Sequence, residues 1–553
     1  MYQLKRIIGQ GGPSYTPLDN DEQDAELALG GRASRPSWWR RLIIPIIFVV
    51  ALFAVLAGLA SAMGGDQKPV GAHKPPASTD RPSKPPSDVD KGTTVELPTG
   101  MDPASVARAR LQALRNAQST TLEQATSRYS LKAGRAPPPN FNKWFSMAQE
   151  KKCLVDEYDQ VLRDMEPWYQ LAEQNPKHFK EMVDRGRKLM LQNPMGMTTI
   201  NIKDGKVNMP PYSGTSFDGD WPRTLGRFIR VLPNMDFLLN GRDEPRVVFD
   251  VRAPGAIEDA MKLRDPDPFH IAPRPTSEFF KNKTGCDPLS SPKGFGMDGS
   301  ADIAFLRSSS SSDFTTDLWP LLSMTKISPC FSDILFPGQY NYDESWWSGS
   351  FSHANDIDWK DKKAKIYWRG MSNGGHILGQ NFRKFPRFRL VDIARNHSDL
   401  IDAKMTRFAE THCTDDCDRD AIIKEYDITG PQAAKEDVYQ YRYLLDIDGN
   451  TFSGRYIGLL RSGSLVFKST AFEEFFDDWL RPYEHYVPVL PDLSDLVDKV
   501  QWALDNEEEA RRIQETGKLF AEEIMRDDQN DCYFALVLLE YARLQSGAKM
   551  ANQ

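Results

Sequence analysis

The sequence predicts an α/β protein built on mainly parallel sheets, and three stretches carry that reading. AKIYWRG (364–370) reads as a short buried strand ending in a glycine loop, and YRYLLDIDG (441–449) as a second, with helical stretches between them. MDFLLN (235–240) is a further strand-like run. Tyr441–Lys468, YRYLLDIDGNTFSGRYIGLLRSGSLVFK, continues from strand to Gly/Asp/Asn turn, Ser-Gly-Arg step, amphipathic segment and a β-branched strand. This order predicts an anion-reading loop at a helix start, where open α/β sheets hold ligands at strand C-terminal ends.

The 553 residues, 26% charged and 11% aromatic, supply material for two domains and extra parts. Residues 1–41 are polar and lack apolar periodicity, so they read as a disordered cytosolic tail. Leu42–Met63 carries no charge and as a helix spans about 33 Å, enough to cross a bilayer. Arg32, Arg35, Arg40 and Arg41 precede it, which places the N-terminus in the cytosol and the remainder in the lumen. A buried soluble helix and a cleaved signal peptide are the alternatives. Residues 64–130 form a stalk in this reading: KPPASTDRPSKPP is semi-rigid and extended, and Ser105–Ser130 has helix-forming composition, continuing the stalk or packing on the body.

The globular part opens at PPPNFNKWF (137–145), where Pro137–Pro139 delay a helix until Asn140 or Asn142 can cap one. Val155–Leu171 has helical apolar spacing interrupted near Pro167. The Pro-rich stretch 264–275 and Ser308–Ser312 read as loops. Two sequons, at Asn282 and Asn396, and six cysteines fit a secretory compartment. Cys413 and Cys417 suit a local disulfide; a zinc site would need two more ligands, of which only His412 is nearby. The remaining cysteine pairings stay open. A net charge of −8 without a basic tract argues against nucleic acid as the main partner.

In KIYWRGMSNGGH (365–376), Arg369, Gly370, Ser372 and Asn373 follow the strand, with Gly374 and Gly375 behind them. Glycine permits close backbone approach and arginine offers a two-pronged donor, so the loop can cradle a pyrophosphate; an ordinary glycine turn with a solvated arginine is the alternative. Ser453, Gly454 and Arg455 repeat the theme, and neither loop has P-loop spacing. Asp446 and Asp448 could hold a divalent cation on a nucleotide-sugar, as in a metal-dependent transferase, or Asp448 could serve the turn. Asp243 in DFLLNGRDEPR ends a strand, where a carboxylate can accept the proton of an attacking hydroxyl or simply pair with a loop arginine.

Taken with DILFPGQY, FPRFRLV and HYVPVLPDLSDL, these blocks resemble glycosyltransferase family 90, the capsule-associated xylosyltransferases and protein O-glucosyltransferases, from about Pro137 to Val537. The resemblance implies a GT-B-like fold of two Rossmann-like domains, here expected at 131–345 and 346–540. It also implies inverting, metal-independent transfer with no cofactor, from UDP-xylose or UDP-glucose to a glycan or glycoprotein hydroxyl. By position, Asp243 would be the base; Arg369, Gly370, Ser372, Ser453 and Arg455, and with them Arg387, would contact the donor. Pro386 stands where the family has a histidine. The sub-branch expected is a fungal-type enzyme of capsule or wall synthesis. The anchor, with no retention tetrapeptide at the end, points to a single-pass type II Golgi protein, the endoplasmic reticulum being the alternative. An inactive lumenal scaffold of the same fold is the competing class.

Overall fold

In the computed structural model, the described residues are 101–547 apart from 193–195, 211–218, 263–314, 329–330, 343–350, 352, 376, 378, 411–412, 414–415 and 431–432. All belong to one compact unit; a second unit, Leu29–Thr94, lies outside the described residues.

The first sheet contains β1 (Met197–Lys203), β2 (Lys206–Asn208), β3 (Met235–Asn240), β4 (Leu321–Ser323) and, after the short β5 (Thr325–Lys326), β6 (Ile334–Leu335). Its order is β2-β1-β3-β4-β6. Asp204 and Gly205 both have positive φ and close the β1–β2 hairpin in two residues, which forces antiparallel pairing. β1 is also antiparallel to β3, whereas β3, β4 and β6 run parallel. Phe237, Leu238 and Leu239 are all fully buried, as an unbroken apolar run covered on both faces should be.

The second sheet contains β7 (Lys363–Met371), β8 (Ile401–Arg407), β9 (Tyr441–Ile447) and β10 (Leu465–Ser469); β11 (Glu473–Glu474) leaves it to pair with β5, and β12 (Val487–Pro488) completes it. Its order is β12-β10-β9-β7-β8 with every pairing parallel. Strand order therefore reverses between β7 and β9. With right-handed crossovers, the connections leaving these two strands run over opposite faces and open a crevice at their C-terminal ends.

Mixed α/β architecture with two sheet-bearing lobes agrees with the expected fold class, except that the first sheet is mixed where a Rossmann-like sheet would be parallel. The expected membrane helix is corrected. No helix among the described residues is long and apolar enough to cross a membrane. Residues 42–63, the tail before them and most of the expected stalk lie outside the described residues. The single-pass type II topology, membrane partner and Golgi placement are therefore not carried forward. The longest described helix, Asp527–Ser546, is instead a core helix: fourteen of its twenty residues are buried. Its charged side chains are matched locally, Glu540 by Tyr129, Tyr169 and Arg543, and Asp531 by Lys151 and Arg227.

Ser105–Ser130 packs on the body, as two helices. Pro103–Ala117 lies along the helix Glu507–Glu523, with Arg115 paired to Glu523, and Leu122–Ala133 starts in a Thr121/Gln124 capping box. A helix does begin after Asn140, at Phe141–Glu150, but the Asn140 side chain makes no cap and instead donates to the Val231 carbonyl. Asp159–Gln174 continues through Pro167, because burial of Val161, Met165, Trp168 and Leu171 outweighs one missing backbone bond.

Cys413 and Cys417 form the local disulfide, and Cys153 joins Cys532 across 379 residues of chain. Cys286 and Cys330 lie outside the described residues. Because closing a long loop constrains the unfolded chain more than closing a short one, replacing Cys153 and Cys532 together by Ala should lower unfolding free energy by about 2–5 kcal/mol. The Cys413→Ala/Cys417→Ala pair should cost less. Urea denaturation of both variants checks this ranking.

Candidate active site

Asp243 sits in the loop that follows β3, and buried polar groups dictate the loop's shape. Asn240, fully buried, donates to the Glu244 carbonyl and the Ser323 hydroxyl, and accepts from the Arg242 amide and Arg246 Nε. Asp333, also fully buried, accepts the amides of Arg246 and Val247 at 2.9 Å each and the Ser323 hydroxyl. Burial raises the Asp333 pKa, and those three donors oppose it. Lys326, ion-paired with buried Asp164, donates to the Asp333 carbonyl from below. The loop is thus held at both ends around the partly buried Asp243.

Tyr340 reaches that carboxylate from the turn after β6. Its hydroxyl lies 3.0 and 3.1 Å from the two Asp243 oxygens. The same ring packs edge-on against Phe452 with centroids 5.5 Å apart, and a Cβ on Gly454 would come within 2.9 Å of its Cδ1. Tyr340 therefore connects the β3 loop of the first sheet to the β9 loop of the second.

The loops after β7 and β9 interlock at the point where strand order reverses. Arg387, buried at the start of helix Pro386–Asn396, donates to the Met371 and Asp448 carbonyls at 3.0 Å each. The Asn450 side chain accepts the Gly374 amide, and Ser372 is tied to the strand end after β8, its amide to Arg407 and its hydroxyl to the Ala409 amide. Gly375 is required by contact as well as by its φ of 155°, since a Cβ there would lie 2.4 Å from the Phe385 ring. A Cβ on Gly370 would lie 2.6 Å from Trp368 Cζ2, so close packing leaves no room for a side chain there.

The two predicted arginines line one cavity but serve it differently. Arg369 turns back along the sheet, with Nη2 2.7 Å from Asp402 Oδ1, Nη1 on two backbone carbonyls and its guanidinium over Tyr367. Burial pushes the Asp402 pKa up, but the Tyr441 hydroxyl and Arg369 pull it down further, to below the usual carboxylate value. Arg455 donates through Nη1 to the Arg369 carbonyl, and its charge, with the buried Ser453 hydroxyl, acts on the Asp446 carboxylate, drawing its pKa down against burial. Arg455 also lines the cavity, and its buried Nη2 has no hydrogen-bond partner of normal geometry among the described residues, which suits a polar ligand there.

Behind these loops lies a buried charge cluster. Lys468 Nζ is 3.6 Å from Asp446, 3.7 Å from Glu474 and 3.6 Å from the Tyr456 ring centre. Burial disfavours the ammonium, but Asp446 and Glu474 outweigh it and hold its pKa above the ordinary lysine value. Burial raises Asp446, and pushes Asp448 to about 7 and Glu474 to about 8, against the pull of Lys468. Asp446 faces this ammonium and Asp448 accepts the Ala471 amide, so the pair is committed to the cluster where a cation site was considered. Among the described residues no group of three or more His, Cys, Asp or Glu is placed to hold a metal.

Tyr340, Asn240 and Asp333 are the site residues that the sequence reading did not single out. Tyr340 closes the DILFPGQY block already quoted, so the only signal was its place in a motif. Asn396 is exposed at a helix end, and Asn282 lies outside the described residues.

Because Asp448 and Glu474 have folded pKa values near 7 and 8, above their unfolded values, the folded state holds protons that the unfolded chain releases above about pH 4. Their contribution to stability is complete below that pH and is lost as pH rises through 7 and 8. The melting temperature should decline from pH 5.5 to 8.5, and Glu474→Gln should flatten the upper part of that decline.

With this geometry in view, the likeness to known proteins can be placed. The chain is 33% identical over 183 residues to Protein O-glucosyltransferase 2 of Danio rerio, covering 32% of this chain and 34% of the relative. It is 31% identical over 194 residues to Protein O-glucosyltransferase 3 of Rattus norvegicus, with coverage of 35% and 34%. To Protein O-glucosyltransferase 1 of Homo sapiens it is 30% identical over 193 residues, 34% of this chain and 44% of that one. The chain thus matches between about a third and less than half of the length of these curated relatives. They are vertebrate protein O-glucosyltransferases, which corrects the expected fungal capsule-associated xylosyltransferase sub-branch. The model described as Glycosyl transferase family 90 matches residues 308–551, the stretch that carries Tyr340, both glycine loops and the buried lysine cluster, while Asp243 lies before it.

Proposed function

We propose that this protein is a UDP-sugar-dependent glycosyltransferase that transfers glucose to a protein hydroxyl. The observation that carries this reading is the meeting, through Tyr340, of a strand-end carboxylate with a loop whose Arg455 lines the cavity and has a buried Nη2 with no hydrogen-bond partner of normal geometry among the described residues. The glycosyl transferase family match over that loop supports it, and the relatives' names point to glucose and to a protein acceptor.

Chemically, Asp243 takes the proton of the acceptor hydroxyl as its oxygen bonds to the anomeric carbon. The bond from that carbon to the diphosphate oxygen breaks on the opposite side, inverting the centre, and UDP departs with the electron pair. Arg455 and Ser453 offer donors to the diphosphate, and Arg387 keeps the two loops in register for it. Arg369, committed to Asp402, supports the cavity wall and presents its carbonyl to Arg455.

Release of UDP from UDP-glucose in the presence of a folded protein acceptor tests the activity, and equal or greater release from UDP-xylose would reassign the sugar. Arg455→Ala should weaken UDP binding by about 1.5–3 kcal/mol, measured by calorimetry. Asp243→Asn keeps the shape but cannot take a proton, so turnover should fall by about 10² to 10⁴ with UDP affinity nearly constant. Near-normal turnover in that folded variant would remove Asp243 from the chemistry.

A further inference from the structure

We propose that Tyr340 is a positioning residue with two separable tasks: its hydroxyl aims the Asp243 carboxylate, and its ring holds the donor loop at Phe452 and Gly454. The inference rests on the functional reading above and assigns to that site a residue outside the predicted set. Three observations carry it. The hydroxyl is nearly equidistant from both carboxylate oxygens, at 3.0 and 3.1 Å, so it restrains rotation of the carboxyl group about its own axis. The ring is 5% exposed and closes directly on the β9 loop, where Gly454 leaves no room for a side chain on that side.

The third observation is that the turn carrying Tyr340 cannot easily move. Gln339 donates to Thr224, and the Asn341 carbonyl accepts from Asn530 of helix Asp527–Ser546 at 2.7 Å. A Cβ on Gly338 would lie 2.3 Å from Met324 Sδ, so this glycine is set by close packing. A phenol on such a fixed turn is a reference point for both partners. The base from one sheet and the donor loop from the other are therefore aligned against one fixed side chain.

Removing the hydroxyl and removing the ring should separate the two tasks. Tyr340→Phe should lower turnover by about 10- to 100-fold, the size of one hydrogen bond to a charged group, with UDP affinity and melting temperature close to those of the parent. Tyr340→Ala should lower turnover at least as far and also weaken UDP binding. Gly454→Ala, which pushes a methyl at the ring from the other side, should reproduce the loss of turnover with the Asp243 loop untouched. Steady-state kinetics with UDP calorimetry on the full chain reads all three. Turnover of Tyr340→Phe within about two-fold of the parent, or a parallel loss of UDP affinity in that variant, overturns the assignment. The two readings fail differently: an active Asp243→Asn sinks the base itself, whereas an inactive Asp243→Asn beside a normal Tyr340→Phe sinks only the role of Tyr340.

Discussion

Burial of the helix Asp527–Ser546 is the constraint on which the rest of the first lobe depends. Every residue from Gln529 to Tyr541 is buried, and a helix sunk this deeply is stable only when neighbours cover all of it. Its neighbours are the helices Phe141–Glu150, Asp159–Gln174 and His178–Gln192 together with β3. Tyr541 accepts the Leu238 amide of β3 and donates to the Pro320 carbonyl just before β4, so one phenol registers two adjacent strands. Cys532 fastens the helix covalently to Cys153, Trp144 donates to the Cys532 carbonyl, and Asn530 pins the turn that carries Tyr340. The position of the carboxylate at the end of β3 is thus inherited from the last helix of the described chain.

Charges buried with this helix show why the helix stays where it is. An unpaired Glu540 or Asp531 in the interior would cost several kcal/mol, and each has its partners only when the helix is docked in this register. Glu540 meets two tyrosines and Arg543; Asp531 meets Lys151 and Arg227. Sliding by one turn would take Asp531 away from Lys151 and Arg227, and Glu540 away from Tyr129 and Tyr169, leaving it only Arg543 of its own helix. The same logic governs the second lobe, where Lys468 satisfies Asp446 and Glu474 beneath the β9 loop and a buried Arg387 ties that loop to its neighbour.

The two lobes meet where both sheets end. In the first, the parallel strands β3 and β6 send their following loops toward the crevice; in the second, β7 and β9 do so on either side of the reversal in strand order. β5 and β11 pair across the junction, and the Tyr340 ring fills the space between the loops. The Asp243 carboxylate, the glycine loops and the side chains that support them are in this way gathered by a rule of parallel sheets, that strand C-terminal ends face the crevice.

Much of this was legible in the chain itself. MDFLLN coincides with β3, AKIYWRG lies within β7, and YRYLLDI is β9, because continuous β-branched and aromatic runs bounded by glycine have few other solutions. Asp243, Ser453 and Arg455 were singled out because strand-end carboxylates and Ser-Gly-Arg steps are local patterns, and the structure brings the loops that carry them together at Tyr340. The local Cys413–Cys417 bridge follows from spacing in the same way. What local pattern could not supply was side-chain direction and partnership over long separations. Arg369 turned to Asp402 rather than outward, Asp446 found Lys468, and Tyr340, 97 residues from Asp243, met its carboxylate only when two sheets were brought together. The uncharged 42–63 run shows the other limit, for apolar length allows a bilayer span or a buried helix; it lies outside the described residues, among which no helix is long and apolar enough to cross a membrane. Periodicity and motif thus determined the elements and the kind of chemistry, while tertiary packing decided which charges pair and which loops meet, because burial makes every polar group's partner a matter of three-dimensional neighbours.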